Sequence, residues 1–118
     1  MKQICIIFRK SPLGTSSGRE GLDFALLSAS FEQQVSLVFM QDAVLHLLPS
    51  QIPELTGSKD YIAALKALSL YDIETVLVCQ DSLSNLGLTI DKLAIDAQPA
   101  SFDDIKALIN TADEVMVY

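Results

Sequence analysis

Five short runs of branched, apolar residues constrain this 118-residue chain more than any other feature. Gln3-Ile4-Cys5-Ile6-Ile7-Phe8 is apolar at odd and even positions alike. A strand of that kind has to be covered on both faces, as strands of parallel sheets flanked by helices are. Val35-Ser36-Leu37-Val38-Phe39-Met40 and Thr75-Val76-Leu77-Val78-Cys79 repeat the pattern, Leu93-Ala94-Ile95 repeats it weakly, and Glu114-Val115-Met116-Val117-Tyr118 is the fifth. The core is expected in Ile4, Ile6, Val38, Leu77 and Val115.

Segments of helical period separate the runs. Ser17-Gly18-Arg19-Glu20 has capping-box spacing, and Leu22, Ala25, Leu26 and Ala29 follow it at helical intervals. Asp42 is placed to cap a short helix that Pro49 stops, and Ser58 to cap one whose face holds Tyr61, Ile62, Leu65 and Leu68. A helix is expected directly after Cys79, with Gly87 as its left-handed terminator. Ser101 to Asp104 is another capping-box spacing, followed by Ile105, Leu108 and Ile109. Strands alternating with helices build βαβ units, hence α/β class: a mainly parallel five-stranded sheet with helices on both faces. Ser50 to Ser58, with a proline and a glycine and directly after Pro49, reads as a surface loop.

Composition removes several function classes. Eight Lys and Arg stand against fifteen Asp and Glu, a net charge of −7, where a nucleic-acid backbone rewards clustered cations. Ile4 to Phe8 is the longest apolar run, far short of the ~20 residues of a membrane span, and too short for a signal-peptide core. One His and two Cys show no metal-ligand spacing, so neither a metal nor a disulfide framework is expected. Half of the residues are hydrophobic, a high share for so small a domain, which hints at surface buried against partners.

Parallel α/β sheets bind ligands beyond the C-terminal ends of their strands, so the residues just after each run matter most. Arg9-Lys10-Ser11-Pro12-Leu13-Gly14-Thr15-Ser16-Ser17-Gly18-Arg19 is a hydroxyl- and glycine-rich loop entering a helix. It is neither a Walker A loop nor GxGxxG. Two readings stand: a solvated loop that caps its helix, or an anion-binding loop of the flavodoxin kind that would hold a small ligand or flavin. His46 reads as a packed, hydrogen-bonded side chain, because proton transfer would need a nucleophile nearby. Cys5, inside an apolar strand, reads as core. Cys79 ends a strand at a helix start, where the dipole favours thiolate. It is the candidate catalytic residue, a persulfide carrier, set against an equally physical reading as a buried small hydrophobe. No acidic pair follows the first strand, as a phospho-acceptor pocket requires, and no GxSxG elbow is present.

Several of these segments together resemble a known family: Ser11 to Asp23 with its Gly18-Arg19-Glu20-Gly21-Leu22-Asp23 stretch, Val44 to Pro49, Asp60-Tyr61-Ile62, Leu70-Tyr71-Asp72-Ile73-Glu74 and Val78-Cys79. They are similar to the DsrE/DsrF-like family, on its Tus C-type and DsrF branch, over the whole chain, 1–118, as one domain. The resemblance implies a three-layer α/β/α sandwich and a cytoplasmic subunit of a sulfur-relay hetero-oligomer needed for 2-thiolation of the tRNA wobble uridine. It implies TusB- and TusD-like partners in a dimer of heterotrimers, indirect contact with small sulfur-carrier proteins, and no direct contact with nucleic acid or membrane. The D-type subunit carries the persulfide in that family. The chain is therefore expected to be a structural component of a sulfurtransferase complex, without cofactor or metal, in which Cys79 matches the active position of a sister subunit. A role in sulfur oxidation, as in DsrF, or persulfide carriage by Cys79 itself are the alternatives.

Overall fold

The computed structural model describes residues 2–10, 17–48 and 65–118. Five strands form one sheet, all neighbours parallel: β1 (Gln3–Phe8), β2 (Gln34–Phe39), β3 (Thr75–Cys79), β4 (Gln98–Ala100) and β5 (Glu114–Val117), in the order β4-β3-β2-β1-β5. Among the described residues, α1 (Ser17–Ser30), α2 (Gln80–Asn85) and α3 (Phe102–Thr111), with 3-10 segments at Gln41–Leu47, Leu68–Tyr71 and Ile90–Lys92, join them.

The order dictates the layers. From β1 to β4 the chain moves one way across the sheet, so right-handed crossovers put α1, the 3-10 segments and α2 on one face. From β4 to β5 it jumps back past β1, which puts α3 on the other face. Two core layers result. Ile4, Ile6 and Phe8 of β1 join Leu22, Leu37, Phe39 and Val78 on the α1 face, while Cys5, Ile7, Val38, Cys79 and Ala100 meet Ile105 on the α3 face. This is the α/β/α sandwich that the two-faced apolar runs predict, with β1 and β2 buried at every residue but their first.

The ends of the helices follow local chemistry. α3 begins with a closed capping box: Asp104 N–H donates to Ser101 Oγ and Ser101 N–H to Asp104 Oδ2, each at 3.2 Å. α2 ends in a Schellman motif, with Gly87 at φ 69, Leu88 N–H on Leu83 O and Gly87 N–H on Ser84 O. α1 is described from Ser17 onward, and the residues before it, where its capping would be decided, lie outside the described residues. The segment from Pro49 to Ala64, including the Ser58, Tyr61 and Ile62 expectations, lies outside the described residues. Leu65 and Leu68 belong to the core.

Four expectations are corrected. Leu93-Ala94-Ile95 is not a strand; Leu93 and Ile95 pack on the first core layer and Ala94 N–H donates to Leu47 O at 2.6 Å. The fourth strand is Gln98-Pro99-Ala100, a polar edge strand, where a sheet tolerates proline. Asp42 is not a cap: Met40 holds that position with no side-chain cap bond. Leu48 then leaves the helical region (φ −78, ψ 136), as a residue before proline prefers. In the expected core, Ile4, Ile6 and Val38 are buried, Leu77 is half-buried, and Val115 is 38 % exposed. Val115 sits on edge strand β5, whereas α3 lies against β1, β3 and β4.

Candidate functional site

Of the candidate residues, Arg9 and Lys10 follow β1 and Cys79 ends β3, at the C-terminal edge of the sheet. Cys79 is the last residue of β3 and the N-cap of α2, in extended backbone (φ −61, ψ 119), without a side-chain cap bond. Strand alternation turns its side chain to the α3 face, into the layer of Val38, Ala100 and Ile105, and it is 1 % exposed. Asp81, in the first turn of α2, is exposed.

Cys5 lies in the same layer at 1 % exposure, and burial raises its thiol pKa above the ordinary value by penalising thiolate. The two thiols cannot meet. Cys5 is in register with Ser36, and Ser36 with Thr75, four residues before Cys79. At ~3.3 Å per residue and ~4.8 Å per strand the gap is ~16 Å, against the ~7 Å limit of a disulfide. Both are free cysteines.

A cleft of about 310 Å³ opens beside β1 and β5, lined by Arg9, Lys10, Gln41, Val117 and Tyr118. Arg9 Nε donates to Gln41 Oε1 at 3.3 Å, and Arg9 N–H to the main-chain oxygen of Tyr118 at 2.7 Å. Gln41 itself is left-handed (φ 55), and its N–H is accepted by Ser82 Oγ at 2.8 Å. Ser82 is buried. No local signal announced this tie between β2 and α2, since its ends are 41 residues apart. The Ser11 to Ser16 part of the glycine-rich loop lies outside the described residues. A second cleft, of about 430 Å³, opens at the other end of β3 between Glu74, Val76 and Asp96, away from Cys79.

His46 is where its apolar context predicts. It is buried, its Nε2–H donates to Lys10 O at 2.9 Å, and its ring tilts against Phe8 and Phe39 with centroids 6.5 and 6.4 Å away. Burial lowers its pKa below 6.5, outweighing the Lys10 bond, which raises it. The imidazole thus fastens the exit of β1 to the segment after β2. Among the described residues no group of three or more His, Cys, Asp and Glu could hold a metal ion, and no helix is long and apolar enough to cross a membrane.

The likeness to known proteins extends over the full chain. It is 38 % identical to "Protein TusC homolog" of Aliivibrio fischeri, covering 100 % of both chains, and 37 % identical to "Protein TusC" of Escherichia fergusonii, covering 98 % of each. The crystal structure of the YchN protein from E. coli superposes with a TM-score of 0.86 over 100 % of both chains, at 22 % identity, a likeness of fold. The family model described as DsrE/DsrF-like matches residues 2–118. The chain belongs to the DsrE/DsrF-like family.

Proposed function

We propose that this chain is a cytoplasmic subunit of a sulfur-relay hetero-oligomer that supports 2-thiolation of the tRNA wobble uridine, and that it acts as the structural partner of a D-type subunit carrying the persulfide. Full-length likeness to proteins named TusC supports the relay assignment. The observation that carries the structural role is the burial of Cys79. A persulfide carrier has to present its sulfur to an incoming and an outgoing thiol, whereas Cys79 is 1 % exposed beneath α3. TusB- and TusD-like chains in a dimer of heterotrimers are the proposed partners, with small sulfur carriers reached through them. The net charge of −7 suits a member that leaves tRNA to an enzyme downstream.

The test is tRNA 2-thiouridine content in cells whose only copy carries Cys79→Ser, with assembly followed by co-purification. Near-normal thiolation supports the structural role. Loss equal to deleting the gene, with the complex intact, makes Cys79 a relay residue. Its place at the C-terminal sheet edge, as N-cap of α2, is what favours that second reading.

A further inference from the structure

The two edges of the sheet are built differently. β4 has three residues and carries Pro99, which lacks a donor, a device by which edge strands resist further pairing. β5 has no such protection. It runs Glu114–Val117 without proline or lysine, in unbroken register with β1, and among the described residues no strand pairs with its outer side. Val115 and Val117 stand opposite Cys5 and Ile7, on the α3 face, yet are 38 % and 56 % exposed. Met116 and Tyr118 turn the other way and pack on the α1-side core.

We infer that β5 is the surface through which two copies of this chain associate, pairing antiparallel about a twofold axis at Met116. Val115-Met116-Val117 reads the same in both directions, so an antiparallel copy sets Val115 opposite the other copy's Val117 and Met116 opposite Met116. A twofold axis perpendicular to the sheet keeps each face continuous, so the four valines meet on one side. Glu114 falls opposite Tyr118, not opposite the other copy's Glu114. The two Glu114 positions are ~13 Å apart along the strands, beyond the ~8 Å screening length at physiological salt. Lys2 Nζ holds Glu114 Oε1 at 2.6 Å, which further blunts that charge. The edge thus matches a second copy of itself in apolar pattern and in charge. A pairing of five residues per strand buries less than the ~1,600 Å² of a standard interface, so the association is weak and concentration-dependent. It stands independently of the sulfur-relay assignment.

Sedimentation velocity on the purified full-length chain over a range of concentrations tests this. The expected result is a monomer–dimer equilibrium that Val117→Lys weakens at least about tenfold with an unchanged circular dichroism spectrum. Leu70→Lys, changed at an 83 % exposed site before β3, leaves it as in the parent. Met116→Cys gives a second readout, because directly opposed residues in antiparallel strands come close enough for mild oxidation to join them. A covalent dimer from Met116→Cys but not from Leu70→Cys is expected. A monomer at all concentrations overturns the proposal, as does a dimer indifferent to Val117→Lys or one that Met116→Cys fails to cross-link.

Discussion

Ser82 Oγ accepts the backbone N–H of Gln41 at 2.8 Å, joining the exit of β2 to the first turn of α2. The bond holds a residue in a conformation it would not choose, since Gln41 has a φ of 55 and a side chain. It also gives a part-buried amide an acceptor. Ser82→Ala removes the acceptor and leaves the donor without one, which costs about 1–3 kcal/mol. Urea unfolding should show a lower midpoint at unchanged slope.

Gly21 is required for close approach and not for its backbone freedom. A Cβ there would lie 2.5 Å from Phe8 Cε1 and 2.9 Å from Tyr118 Cδ2. Phe8 cannot swing aside, because it stacks on Phe39 with ring centroids 4.6 Å apart and on Tyr118 at 6.2 Å. Gly21→Ala should gain about 1 kcal/mol of helix propensity and lose about 1–3 kcal/mol to overpacking. The net outcome is destabilisation, read as a lower melting temperature.

His46 makes stability depend on pH in a definite direction. Its folded-state pKa lies below the ordinary 6.5 because burial disfavours the imidazolium. Between the two values the unfolded chain binds the extra proton, so stability rises with pH through that window. The contribution of His46 is complete above about 6.5 and is lost as pH falls through the lowered folded value. Urea midpoints measured from pH 7.5 down to 5 should fall in the parent chain. His46→Gln should flatten that slope, which lies above the range in which carboxylates titrate.

Both thiols should resist labelling. Cys5 and Cys79 are each 1 % exposed, so a thiol reagent reaches them only when the fold opens. In native buffer the reaction should be orders of magnitude slower than in denaturant. A fast phase that disappears in Cys79→Ser would show that the C-terminal end of β3 opens by itself, and would favour the carrier reading of Cys79.

What could be read without coordinates divides by how local its cause is. The central strands declare themselves because covering both faces leaves Ile4 to Phe8 and Val35 to Phe39 with almost no polar position. Ser101 and Asp104 are legible as a cap because their reciprocal bonds span three residues. Edges are harder. β4 needs only Gln98-Pro99-Ala100 and has no apolar signature, while Leu93 and Ile95 look like a strand and instead fill the flank of the core. Val115 shares the composition of a core strand and fails to be core because α3 lies over β1, β3 and β4. Cys79 could be placed at a strand end and a helix start from sequence. Which face takes its thiol depends on how β3 is seated against β2, and no pattern within β3 contains that information.

The sheet order also sets a schedule for the growing chain. Ile4 pairs with Val35 on one side and with Glu114 on the other, and Gln3 binds Asp113 across 110 residues. On the ribosome, β1 and β2 can meet early, but one flank of β1 stays without its neighbour until almost the whole described chain has been made. That flank belongs to the most apolar strand of the molecule, so for most of synthesis the nascent chain carries an adhesive edge that only its last strand will cover. Premature release, whether by a stalled ribosome or a nonsense codon before β5, would strand the protein in that state.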